Sequence, residues 1–119
     1  MNTDKLDNFT ASYIECALWS STDDDGEPLD GRYNSDDIAE SAIEAMAKDC
    51  AEFQEANAEL LAPIDSEQAG HDFWLTRNRH GAGFWDRGLG DVGKQLTDAS
   101  HAYGTCDLYI GDDGKIYAS

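Results

Sequence analysis

Residues 36 to 62 carry the strongest helical pattern in the sequence. They read DDIAESAIEAMAKDCAEFQEANAELLA and are followed by Pro63. Apolar residues recur there at three- and four-residue spacings, which predicts one long amphipathic helix. The members of this stripe are Ile38, Ala42, Met46, Cys50, Phe53 and Leu60. Asn34 or Ser35 is the predicted N-cap, and Pro63 ends the helix because its ring prevents continuation.

The side of this predicted helix away from the apolar stripe is acidic. At 100° per residue it carries Asp37, Glu40, Glu44, Glu55 and Glu59, with Glu52 at its margin. From Asp37 to Glu59 this acidic ridge spans about 33 Å at 1.5 Å per residue. A preceding loop is expected to extend the same surface with Asp23, Asp24, Asp25, Glu27 and Asp30. Two interpretations stay open: an ordinary solvated helix face, or a row of carboxylates that imitates DNA phosphates.

The charge of the chain is large and unevenly distributed. Asp and Glu number 25 against 8 Lys and Arg, for a net charge of −17. Residues 1 to 70 hold 18 acidic and 3 basic residues, whereas residues 71 to 119 hold 7 and 5. Such a field repels nucleic acid and anionic membranes, so we expect neither as a direct partner. The concentration of acid in one half favours a basic protein partner instead.

The remaining patterns predict a single α+β domain over residues 1 to 119, with an acidic helical part (1 to 70) and a near-neutral part (71 to 119). Residues 8 to 20 have helical spacing, as does LGDVGKQLTDASHAYG. DFWLTR alternates like a strand and, with NRHGAG and GAGFW, predicts an aromatic hairpin; CDLYIGDDGKIYAS predicts another. The expected order is α-α-β-β-α-β-β, with helices on one face of a small, mainly antiparallel four-stranded sheet.

The cysteines and the N-terminal sequence predict the cellular compartment of the protein. Cys16, Cys50 and Cys106 are odd in number and have no metal-binding spacing, and MNTDKLDNF lacks the apolar core of a signal peptide. We therefore expect a reduced, cytoplasmic protein whose cysteines are buried. Trp19 and Tyr33 flank the acidic loop as possible apolar anchors for a partner, although the safer expectation for Trp19 is burial in the core.

The predicted aromatic hairpin is the place where catalytic chemistry would be sought. His71, Asp72, His80 and Asp86 are of the types that bind metals and carry protons. Their spacing matches no zinc or nuclease pattern, and ordinary hydrogen bonding is the favoured interpretation. The arginines Arg77, Arg79 and Arg87 are interpreted as internal partners of the acidic half. No P-loop or nucleophile motif is present, so we expect no enzyme, no cofactor and no metal.

A longer block in the same half resembles known sequences. AGHDFWLTRNRHGAGFWDRGLGDVGKQLTDASHAYG, followed by LYIGDDGKIY, resembles a block found in small acidic proteins encoded by bacteriophages and related mobile elements. The resemblance implies a phage or mobile-element accessory protein acting in the cytoplasm of a bacterial host, and it carries over no catalytic residues.

Origin and charge together predict an inhibitor of a host defence effector, of the anti-CRISPR or anti-restriction type, that presents a DNA-mimicking acidic surface. One alternative is an inhibitor that binds a host enzyme through an exposed part of the aromatic hairpin without mimicry, which substitution of Trp74, Arg79 and His80 would test. Another is a small metal-dependent enzyme that uses the four His and Asp side chains of the predicted hairpin.

Overall fold

Helices make up most of the structure, a computed structural model that describes residues 7 to 21, 28 to 31, 33, 37 to 79, 84 and 90 to 118. The helices are α1 (Asn8–Ser20), α2 (Glu40–Ala56), α3 (Ala58–Leu61), α4 (Ser66–Arg77) and α5 (Asp91–His101). The strands are β1 (Leu108–Ile110) and β2 (Ile116–Ala118), and a 3-10 turn covers Leu29–Gly31. The broad α+β prediction is therefore confirmed.

Helix α1 has the predicted bounds. Its N-cap is Asp7, whose carboxylate accepts a hydrogen bond of 2.8 Å from the Thr10 backbone N–H. Partial burial opposes ionisation of Asp7, but the hydrogen bonds from Thr10 and Gln54 outweigh it and lower its pKa. Phe9 and Tyr13 are buried on the inner side of the helix. A polar cap followed by an apolar stripe thus explains both where α1 begins and how it packs.

The predicted long helix is shorter and broken. It begins at Glu40, with Ala39 rather than Asn34 or Ser35 as N-cap, because Ile38 is engaged elsewhere. Ile38 forms a parallel bridge with Ile116 of β2, and the Ala39 N–H donates to the Ile116 carbonyl at 2.8 Å. The other end of α2 is Ala56, after which Asn57 donates to the Phe53 carbonyl and separates α2 from α3.

The strand predicted for DFWLTR is wrong, since these residues belong to α4. Asp65 caps the helix by accepting from the Gln68 N–H at 3.2 Å. All residues from 72 to 77 are buried. A helical segment buried on every side, as 72 to 77 is, has no polar stripe, so its 3.6-residue period disappears and an accidental alternation of β-favouring residues remains. Gly70 allows close packing, because a Cβ there would collide with the Phe9 carbonyl of α1.

The second predicted hairpin is confirmed. Strands β1 and β2 pair antiparallel, with Tyr109 opposite Tyr117, and the turn places Gly114 at φ +81°. Only these two strands form a sheet within the described part of the chain. The four-stranded sheet is therefore wrong, because α4 replaces one of the strands it required. The other strand of the first predicted hairpin was placed at residues 81 to 85. Of these, only Phe84 belongs to the described residues, and it lies in a 3-10 turn.

Aromatic rings join the helices in one core. Phe53 of α2 stacks on Phe73 of α4 with centroids 4.0 Å apart. Phe73 also lies 6.0 Å from Phe9 and 5.3 Å from Tyr13, both in α1. All three cysteines are free and buried, as predicted. In the described ranges, no helix has the length and apolarity needed to cross a membrane.

Candidate functional site

The outer side of α2 presents the most distinctive described surface of the protein. Four carboxylates stand there, and we call them together the acidic face of α2: Glu40, Glu44, Glu52 and Glu55. All four side chains are exposed. At 1.5 Å per residue the face is about 22 Å long. Its one cation is Lys48, which pairs with Glu52 at 3.9 Å and is itself 77 % exposed.

The inner side of α2 anchors this face firmly. Met46, Cys50 and Phe53 are at most 1 % exposed. Burial raises the pKa of the Cys50 thiol well above its ordinary value, so the thiol stays protonated and acts as a small apolar group. The carboxylates therefore project from a helix whose backbone is fixed by the core. Such mounting reduces the entropy lost when a partner binds.

The other acids of the predicted ridge are not on this helix. Glu59 is exposed but lies in α3, beyond the break at Asn57. Asp37 precedes α2, is half-buried and has interactions of its own. The continuous 33 Å ridge is therefore wrong as drawn from the sequence. The loop residues Asp23, Asp24, Asp25 and Glu27 lie outside the described residues, as does the side chain of Asp30.

Arg77 is an internal partner of the acidic half, as predicted. Its guanidinium donates at 2.9 Å to Asp49 of α2, to the Tyr13 hydroxyl of α1 and to the Gly104 carbonyl, and at 3.1 Å to the Tyr103 carbonyl. The side chain is only 5 % exposed. Burial opposes its charge, but Tyr13 and Asp49 outweigh burial and raise the pKa of Arg77. This cation joins three helices and the segment that follows α5.

Neighbours of Arg77 in the HDFWLTRN block are structural too. The Trp74 indole is 2 % exposed and donates to the Ser20 hydroxyl at 2.6 Å. Thr76 accepts from the Phe84 N–H at 3.1 Å, and the Asn78 side chain accepts from the Cys106 N–H at 2.7 Å. The described residues of this block thus pack in the core and connect α4 to the segments around it. Burial excludes Trp74 as a contact residue of the alternative binding mode, whereas Arg79 is exposed and His80 lies outside the described residues, so that alternative stays a prediction.

The structure describes two of the four side chains that the metal or acid–base alternative would use, His71 and Asp72. Asp72 is fully buried and accepts from Gln68 at 2.9 Å, and His71 approaches it no closer than 3.9 Å. His80, Asp86 and Arg87 lie outside the described residues, while Arg79 is exposed after α4. Among the residues that are described, no three His, Cys, Asp or Glu side chains gather to hold a metal ion. The absence of catalysis stays a prediction.

Trp19 departs from the expected burial. It is 57 % exposed, and its ring lies 5.8 Å from that of His71. A helical projection contains the signal for this, because Trp19 falls well outside the arc occupied by Phe9, Tyr13 and Ala17. Tyr33, the other suggested anchor, is half-buried against the core.

Comparison with protein-family models, with curated proteins and with solved structures finds no match to this chain.

Proposed function

We propose that this chain is a phage or mobile-element accessory protein that inhibits a nucleic-acid-binding defence effector of its bacterial host, of the anti-CRISPR or anti-restriction type. In this proposal the acidic face of α2 occupies a groove that otherwise holds DNA or RNA. The exposed, rigidly mounted carboxylates of that face are the observation that carries it. The resemblance to phage-encoded acidic proteins supports the cellular setting.

The physical basis is competition for basic side chains. A nucleic-acid groove is lined with Lys and Arg, which are attracted to any suitably placed row of negative charge. Duplex DNA carries one charge per ~1.7 Å of axis, whereas four carboxylates over about 22 Å are sparser. The face therefore engages a few basic residues by itself. We expect the loop acids from Asp23 to Asp30 and Glu59 to add further contacts.

A binding role for the acidic face would also account for an arrangement of charges that lowers the stability of α2. Glu40 and Glu44 are like charges four residues apart, an arrangement that destabilises a helix by about 0.2–0.5 kcal/mol. Lys48 offsets part of this through Glu52. Buried rings of the core hold the helix in place regardless. A surface with this arrangement is consistent with selection for binding.

The experiment is capture of partners from a lysate of a host that carries CRISPR and restriction systems. Bait variants differ only in where charge is removed. The face variant carries Glu40→Gln, Glu44→Gln, Glu52→Gln and Glu55→Gln. The matched control removes four exposed acids elsewhere, through Asp91→Asn, Asp98→Asn, Asp107→Asn and Asp112→Asn. Both have the same net charge, so bulk electrostatics cannot separate them.

We expect the parent and the control to retain a nucleic-acid-binding effector at low salt and the face variant to lose it. Retention should fall as salt shortens the Debye length from ~10 Å at 0.1 M to ~3 Å at 1 M. Lys48→Gln should strengthen retention, because it removes the only cation of the face. An effector retained equally by the face variant would overturn the proposal, as would a partner with no nucleic-acid-binding groove.

A further inference from the structure

An exposed aromatic pair lies on a different side of the protein. Trp19 of α1 packs its ring against His71 of α4, with centroids 5.8 Å apart and an angle of 46° between the planes. Thr10, which hydrogen-bonds the Cys50 thiol of α2, marks the side of α1 that faces α2. Trp19 follows it by nine residues, which is 180° around the helix. The pair therefore points away from α2 and its acidic face.

Two carboxylates flank this pair. Glu15 precedes Trp19 by four residues in α1, Glu67 precedes His71 by four residues in α4, and both are exposed. Residues at this spacing are neighbours on a helix surface. The Ser12 hydroxyl donates to the Glu67 carbonyl and holds these turns of the two helices together. We call Glu15, Trp19, Glu67 and His71 the Trp19 patch.

The charge of the Trp19 patch is uncompensated by Lys or Arg from its own helices. Helix α1 contains no Lys or Arg, and Arg77, the one such residue of α4, is directed into the core. A large aromatic side chain that is 57 % exposed is also unusual here, since Tyr109 is its only counterpart among the described residues. An apolar ring face bordered by carboxylates is complementary to a cation that is flat and weakly hydrated.

His71 adds an imidazole ring to the Trp19 patch. Its Nδ1 is buried and has no hydrogen-bond partner among the described residues, and it lies 3.9 Å from Asp72 Oδ1. The His71 side chain as a whole is 36 % exposed, so another part of the imidazole ring reaches the surface beside Trp19. A neutral imidazole has one ring nitrogen with a free lone pair, which can accept an N–H from a partner.

We propose that the Trp19 patch binds an arginine side chain presented by a protein partner. The guanidinium plane stacks on the Trp19 indole, where cation–π attraction and dispersion act together. Its N–H groups are directed to the carboxylates of Glu15 and Glu67 and to the His71 imidazole. Lysine fits less well, because an ammonium is compact, strongly hydrated and unable to stack. This interaction does not require the acidic face of α2.

The test uses the full chain and two blocked peptides, acetyl-Gly-Arg-Gly-amide and its lysine counterpart. Backbone amide and indole N–H signals are followed by NMR during titration. We expect the arginine peptide to shift the Trp19 indole and the amides of Glu15 and His71 in a saturable way. The lysine peptide should need about threefold more peptide for the same shift.

Two variants make the test specific. Trp19→Leu keeps an apolar side chain at an exposed position, so the chain stays folded, and it should abolish the saturable shifts. The face variant should retain them, which separates this proposal from the function of the acidic face of α2. The proposal is overturned by shifts confined to α2, by equal responses to the two peptides, or by shifts that persist in Trp19→Leu.

Discussion

Replacing Arg77 by Lys tests whether the HDFWLTRN block is scaffold or binding site. The change keeps the positive charge but replaces a planar fork of five donors by a single ammonium with three. Arg77 reaches four acceptors at 2.9 to 3.1 Å, one on α1, one on α2 and two on the segment that follows α5. One nitrogen atom cannot reach all four, so we expect about two of them to lose their partner.

The magnitude follows from these lost bonds. An acceptor left unsatisfied at full burial destabilises a protein by ~1–3 kcal/mol. Three of the four acceptors are only partly buried, so the loss of two bonds should reduce the free energy of unfolding by about 2–4 kcal/mol, less than two full penalties at their upper limit. Loss of the contacts of the guanidinium with Phe73 and Tyr103, at 5.6 and 5.7 Å, acts in the same direction. Native domains have ~5–15 kcal/mol to lose, so we expect the variant still to fold.

Urea unfolding followed by tryptophan fluorescence measures this change. Arg79→Lys is the matched control. Arg79 is exposed, so this substitution should change the free energy of unfolding by less than about 0.5 kcal/mol. The reasoning is refuted if the two variants are equally stable. It is also refuted if Arg77→Lys keeps full stability but loses partner capture, since Arg77 would then belong to a binding site.

Three further predictions concern packing, backbone and pH. Gly70→Ala should lower the free energy of unfolding by about 2 kcal/mol, because the added Cβ would force α4 away from the Phe9 carbonyl. A variant that is as stable to urea as the parent would contradict this. Arg79→Gly should stabilise by about 0.5 kcal/mol in the same assay, since Arg79 has φ 59°, and a destabilised variant would argue against it. Burial raises the pKa of Cys16 to about 12 and raises that of Cys50, so the stability these thiols provide is complete below pH 9 and is lost as pH rises towards 12. Thermal midpoints should fall above pH 9, less steeply in Cys16→Ala/Cys50→Ala; an identical slope would count against this assignment.

The elements predicted correctly from the sequence are those with one buried and one solvent-exposed side. Helix α1 has a polar cap and an apolar stripe, α5 has its stripe too, and the last hairpin has the Asp113-Gly114 turn signal. In each, solvent on one side imposes a period that can be read directly. The acidic face of α2 was predictable for the same reason, because charged side chains remain where water is.

The elements predicted wrongly depend on contacts between distant residues. Helix α4 is buried through residues 72 to 77, so no polar stripe marks its period. The start of α2 is set by pairing of Ile38 with Ile116, which lies 78 residues further along the chain. No local pattern carries that information. Exposure of Trp19 likewise depends on how α1 and α4 pack, although its position off the apolar stripe was visible.

The most direct measurement of the central claim is competition for nucleic acid. An effector captured from the host lysate is bound to a fluorescent duplex carrying its site, and the chain is titrated against the complex. We predict displacement of the duplex by the parent and by the control with four acids removed elsewhere. The variant lacking Glu40, Glu44, Glu52 and Glu55 should need about tenfold more protein, as expected if each of the four lost pairs contributes about 0.35 kcal/mol. Displacement that is equally effective with that variant, or binding that leaves the duplex in place, would contradict DNA mimicry by the acidic face of α2.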